Sequence, residues 1–130
     1  MKYMLDTNIC IYLIRKRSVK LADKLHSIEV GEIGISVVTL CEFEYGVENS
    51  SSPDQNKLAL QQFLLPLLVC ALDPEMAVAY GRIRRALKRQ PIGIHDLLIA
   101  AQAVQLQVTL VTNNVRRFSR VPGLNIENWT

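Results

Sequence analysis

Lys2-Tyr3-Met4-Leu5-Asp6-Thr7-Asn8-Ile9 opens the chain with a short apolar stretch, an acid that stops it, and an apolar residue from which a new spacing begins. Ile9, Tyr12, Leu13 and Val19 recur at helical spacing, so the segment is expected to fold as strand, turn and helix. The same step follows at Ile33 to Ser36, rich in β-branched residues, which runs into Val37–Gly46 with helix formers Leu40, Glu42 and Glu44. Ser50-Ser51-Ser52-Pro53 is a loop, and Pro53 is suited to open a helix to about Leu65. Val69 to Leu72 is a third expected strand. Met76, Tyr80, Ile83 and Leu87 mark the buried stripe of a helix reaching about Arg89. Pro91-Ile92-Gly93 breaks that helix, and Asp96 opens another whose Leu97–Ala103 stretch is apolar nearly all round and should be buried. Val108 to Val111 is a fourth strand, followed by the turn Thr112-Asn113-Asn114, a short basic helix and an extended segment near Leu124 to Trp129.

Short apolar strands alternating with helices predict an α/β fold in three layers, α/β/α, around a short, mainly parallel sheet of four to five strands. The 130 residues are the size of one domain, 1–130. In such folds ligands bind where the carboxyl ends of the strands open outward, here after Leu5, Ile35 and Val111.

Composition narrows the class. Hydrophobic residues at 49% and charged residues at 21% exclude disordered, collagen-like and coiled-coil chains. The longest apolar run, Phe63 to Leu72, is about half of what a membrane helix needs and contains Pro66. Asp6 interrupts the amino terminus before a signal-peptide stretch develops, and the expected location is cytoplasmic. Cys10, Cys41 and Cys70 are odd in number and show no C-x-x-C spacing, as expected of reduced, core-type thiols. The net charge of +3 is unevenly placed: from Pro66 onward eight basic residues face four acids. Arg82, Arg84, Arg85, Lys88 and Arg89 form one group and Arg116, Arg117 and Arg120 a second, which suits a polyanionic partner or, more plainly, a solvated helix face.

Asp6 follows strand one, Glu42 lies in the helix after strand two, and Asp96 begins the buried helix that leads into strand four. Each has a plain role available: Asp6 and Asp96 as helix caps, Glu42 as a surface glutamate. Together they would repel one another and raise their own pKa values unless a divalent ion neutralised them. Oxygen-only ligands select Mg²⁺ or Mn²⁺ over zinc. Such a site is suited to phosphodiester hydrolysis without a covalent nucleophile.

Met-Leu-Asp6-Thr7-Asn8, Ser36-Val-Val-Thr39-Leu-Cys-Glu42-Phe-Glu-Tyr-Gly46, Pro91-Ile92-Gly93-Ile-His-Asp96-Leu-Leu-Ile-Ala100-Ala101, Leu110-Val111-Thr112-Asn113-Asn114, Val121-Pro-Gly-Leu and Asn128-Trp129 occur in this order over essentially the whole chain. The set resembles the PIN-domain toxins of the VapC family. The resemblance implies a PIN-like fold and a Mg²⁺-dependent endoribonuclease, the toxin of a type II toxin–antitoxin pair. It also implies a homodimer held by a VapB-type antitoxin and an RNA substrate of the tRNA or ribosomal class. Carried over by position, Asp6, Glu42 and Asp96 would be the catalytic, metal-binding carboxylates, and Asn8, Thr112 and Asn114 supporting groups. Arg82, Arg85, Arg89, Arg116 and Arg117 would attract the RNA backbone.

The chain departs from the family in lacking a fourth acid shortly after strand four, where Asn114 and Arg117 stand. Three acids can still satisfy one Mg²⁺ with waters. Arg117 could grip a phosphate, or pair with Asp96 or Glu42 and lower metal affinity. Alternatives from other classes are a catalytically impaired RNA- or partner-binding module, a phosphotransferase using Asp6 as nucleophile, and cysteine–histidine catalysis drawing on Cys10 or Cys41 with His26 or His95.

Overall fold

The computed structural model describes residues 1–130. It consists of five strands and seven helices in the order β1 (Tyr3–Leu5), α1 (Thr7–Ile14), α2 (Val19–His26), β2 (Ile33–Ser36), α3 (Val37–Glu48), α4 (Pro53–Leu64), β3 (Leu68–Cys70), α5 (Met76–Ala86), α6 (Ile94–Leu106), β4 (Thr109–Val111), α7 (Val115–Phe118) and β5 (Asn125–Glu127). The strands form one all-parallel sheet in the order β3-β2-β1-β4-β5. The chain builds outward from β1 through β2 to β3 and then returns to the other side of β1 with β4. The order therefore reverses between β1 and β4, where doubly wound sheets open a binding crevice.

The period of two along each strand divides the core. Leu5, Ile35 and Val111 are register partners and pack with Ile9, Cys10 and Leu21 against α1 and α2. Met4 and Leu110, one residue earlier, face the other way into a cluster with Ile83, Leu97, Ile99 and Phe118. Burial on both faces explains the unbroken apolar strands. The cover fails at the β3 edge, where Leu68 and Val69 are exposed, although the expected three layers place helices over both faces.

Four local expectations are corrected. The spacing from Ile9 to Val19 belongs to two helices: Lys16 takes a left-handed conformation (φ 53°), and the Ser18 hydroxyl accepts from Leu21 N at 3.1 Å to cap α2. Val19, counted into the stripe, is 77% exposed. Helix α5 ends at Ala86, short of Arg89. Asp96 does not cap α6; Gly93 precedes the helix and Asp96 is its third residue. Of the thiols, Cys10 is buried, whereas Cys41 is exposed and so not of core type. No helix is long and apolar enough to cross a membrane.

Candidate functional site

Because Leu5, Ile35 and Val111 share one register, the residues that follow them, Asp6, Ser36 and Thr112, emerge at one edge of the sheet. Asp6 N donates to Val111 O at 3.0 Å, locking the two crevice strands together beside the carboxylate. Asp6 caps α1: its Oδ1 accepts from Ile9 N at 2.8 Å, so the capping role and the site role coincide. Ser36 caps α3 through Val38 N, and the Thr7 and Thr39 hydroxyls, 2.9 Å apart, tie α1 to α3. That tie sets the helix carrying Glu42 against the one capped by Asp6.

These elements enclose an open cleft of about 350 Å³ lined by Asp6, Asn8, Glu42, His95, Asp96, Asn114 and Arg117 together with Thr7, Ile11, Gly93, Ile94 and Phe118. All three carboxylates singled out in the sequence thus face one space. Burial raises the Asp6 carboxyl above its ordinary 3.8; hydrogen bonds from Thr112 and Ile9 partly oppose this, Asp96 adds to it and Arg117 lowers it. Thr112 is fully buried, and its hydroxyl accepts from Asn114 N at 2.9 Å. Asn114 in turn caps α7, its Oδ1 accepting from Arg117 N at 3.2 Å.

The other two carboxylates have cationic or ionisable partners. Arg117 Nη1 donates to Asp96 Oδ2 at 2.5 Å, and His95 Nδ1 lies 3.1 Å from Glu42 Oε1. With these contacts made, no three side chains converge on a ready-made metal position. The donor chemistry is nevertheless that of a hard cation: carboxylate oxygens from three elements, one nearly inaccessible and electrostatically undercompensated.

Two of the basic residues expected to meet RNA, Arg116 and Arg117, line a pocket next to the cleft, with Arg120 and Gln90. Arg82, Arg85 and Arg89 do not reach either space. Arg82 borders a separate groove with Val104, Gln105, Pro122 and Gly123, and the segment after α5 touches the basic pocket only from Gln90 onward. His95 is the cleft residue that sequence reasoning missed, having been weighed only as a cysteine partner; its place beside Asp96 on the first turn of α6 was the available signal. Cys10 is fully buried and its thiol is pushed well up by burial, which removes it as a nucleophile.

The PIN domain model matches residues 3–124. Ribonuclease VapC2 of Rickettsia felis is 40% identical over 132 residues, covering 99% of this chain and 98% of the relative. The tRNA(fMet)-specific endonuclease VapC of Salmonella typhimurium is 37% identical over 131 residues, with coverage of 99% and 98%. Among solved structures, VapBC2 from Rickettsia felis bound to a DNA fragment from their promoter superposes with a TM-score of 0.91 at 39% identity, over 100% of both chains.

Proposed function

Since the chain belongs to the PIN-domain family and, within it, to the VapC ribonucleases, we propose that it is the toxin of a VapBC-type pair whose Asp6–Glu42–Asp96 cleft hydrolyses RNA phosphodiester bonds. The observation that carries this is the meeting of three carboxylates from the end of β1, α3 and α6 in one solvent-open cleft. PIN-domain ribonucleases are in general divalent-metal dependent. Mg²⁺, with Mn²⁺ as a substitute, would be held by Asp6, Glu42 and Asp96 and would supply positive charge at the phosphate and a more acidic attacking water.

The chain's own groups do the positioning. Ile9 N–H fixes the place of Asp6, with hydrogen bonding only partly offsetting the burial that raises its carboxyl; Thr112, fully buried, holds Asn114 through its hydroxyl. Asn8 stands on the exposed rim, and Asn114 sets the start of α7 and with it Arg117. Arg116 and Arg117 are the phosphate contacts, whereas Arg82, Arg85 and Arg89 contribute only long-range attraction. The RNA is of the tRNA or ribosomal class, met in the cytoplasm, and the working form is a homodimer.

The antitoxin, of VapB type, has a groove available. Ile11, which lines the cleft, also lines an apolar trough with Ile14, Phe43, Val47 and Leu60. A peptide laid there could extend a basic side chain to the carboxylates and block metal and RNA together.

The deciding experiment is cleavage of total tRNA and ribosomal RNA by the purified chain in Mg²⁺, with EDTA and Asp6→Asn as controls. Discrete fragments that require both the metal and Asp6 are expected. Intact RNA from folded, antitoxin-free protein would overturn the assignment in favour of an impaired RNA- or partner-binding module, a reading favoured by the Arg117–Asp96 contact.

A further inference from the structure

Arg117 belongs to two spaces at once. It lines the acid cleft, where its Nη1 meets Asp96 Oδ2, and it lines the adjoining basic pocket with Arg116 and Arg120. Its placement is built in from several sides. Buried Thr112 accepts from Asn114 N, Asn114 caps Arg117 N, and Arg117 reaches Asp96. Arg120 is committed elsewhere, donating to Gln90 O at 2.7 Å and Gln90 Oε1 at 3.0 Å. Among the three arginines, Arg117 is the one paired with a carboxylate.

A guanidinium on Asp96 and a divalent ion on the same carboxylate exclude each other by charge and by use of the same lone pairs. An arginine side chain that is 43% exposed can turn from a carboxylate to a phosphate, for which its planar donor fork is equally suited. Given the proposed metal-binding role of the cleft, on which this step rests, we infer that Arg117 is a shared counter-ion coupling the two pockets. Seated on Asp96 it takes the place of a divalent ion; drawn onto an RNA phosphate in the basic pocket it frees Asp96 to bind one. Metal affinity is therefore low in the free protein and rises when RNA is bound, and by linkage the metal strengthens RNA binding by the same factor. The site assembles on its substrate.

The test is Mn²⁺ affinity by electron paramagnetic resonance titration at fixed ionic strength. It is run on the full chain and its variants, alone and with a 2′-O-methyl RNA oligonucleotide. Arg117→Gln should bind Mn²⁺ about tenfold more tightly than the unmodified chain in the absence of RNA, a factor typical of site-to-site coupling. The oligonucleotide should tighten Mn²⁺ in the unmodified chain more than in Arg117→Gln. Arg116→Gln, which removes a neighbouring charge without touching Asp96, should leave the RNA-free affinity near the starting value. Equal affinities for Arg117→Gln and the unmodified chain, equal tightening by the oligonucleotide in both, or an Arg116→Gln effect as large as that of Arg117→Gln would each overturn the coupling. Adding Asp6→Asn to Arg117→Gln separates the two levels. If Mn²⁺ binds the double variant as tightly as Arg117→Gln, or is absent from every form, the metal site fails, taking the coupling with it. If binding depends on Asp6 yet ignores Arg117, the metal site stands and the coupling fails.

Discussion

Asp6 is 3% exposed, and burial is the largest reason its carboxyl titrates above 3.8. A raised folded-state pKa for an acid means that the native chain holds the proton at pH values where the unfolded chain has released it. Stability therefore falls as pH rises from the ordinary value through the folded one, and above that the cost is present in full. Asn is as good a helix cap as Asp, so Asp6→Asn keeps the bond from Ile9 N while removing the buried charge. The variant is expected to be more stable near neutral pH by roughly 1 kcal/mol, the range seen when strain at a functional site is relieved. Thermal unfolding across pH checks this: the gain in midpoint should shrink as pH falls through the raised folded-state value toward the ordinary carboxylate value and be absent below it, and a variant less stable at neutral pH would refute it. The spacing of Asp6, Glu42 and Asp96 was readable residue by residue because strand ends and helix starts are local features. That Glu42 meets His95, 53 residues away, and Asp96 meets Arg117, 21 residues away, is a matter of side chains meeting through space. Only the possibility of the second pairing could be raised beforehand.

Among the elements, β2 shows how closely the sheet is fitted. Gly34 sits opposite Met4 and Leu68 in register, and a Cβ there would stand 2.8 Å from the Leu68 backbone oxygen and closer still to Met1 Sδ. Met1 could move; the carbonyl of a paired strand cannot do so cheaply. Gly34→Ala is expected to destabilise the fold by about 2 kcal/mol, an overpacking cost, by prising β3 from β2. Urea unfolding measures it, and a midpoint equal to that of the unmodified chain would show that β3 yields freely. Helix α6 was recognised from its apolar run, and its buried face carries Gln102, whose Nε2 donates to Cys70 O and Ala71 O where β3 ends. The division of α1 from α2 was missed because apolar spacing continues across Lys16, although Ser18 is a capping residue in plain view.

Over the whole molecule, positive charge is distributed by fold rather than by sequence clustering. The densest basic segment, 82–89, lies outside the cleft and its basic margin, while Arg116 and Arg117, part of the sparser group, line that margin. RNA binding in Ca²⁺ or without metal should accordingly lose about one unit of log–log salt slope in Arg116→Gln, as for one phosphate contact, and almost none in Arg82→Gln. Equal losses in the two variants would mean that the RNA tracks α5 instead. The sequence by itself determined the alternation of short apolar strands with helices, hence an α/β fold with a parallel sheet, and the three acids at its carboxyl edge, because periodicity and strand-end position are properties of neighbouring residues. Tertiary structure alone decided the strand order that places Asp6 and Thr112 at the crevice, the choice of arginines beside it, and the pairing of Arg117 with Asp96. Those outcomes depend on distances between segments that only packing brings together.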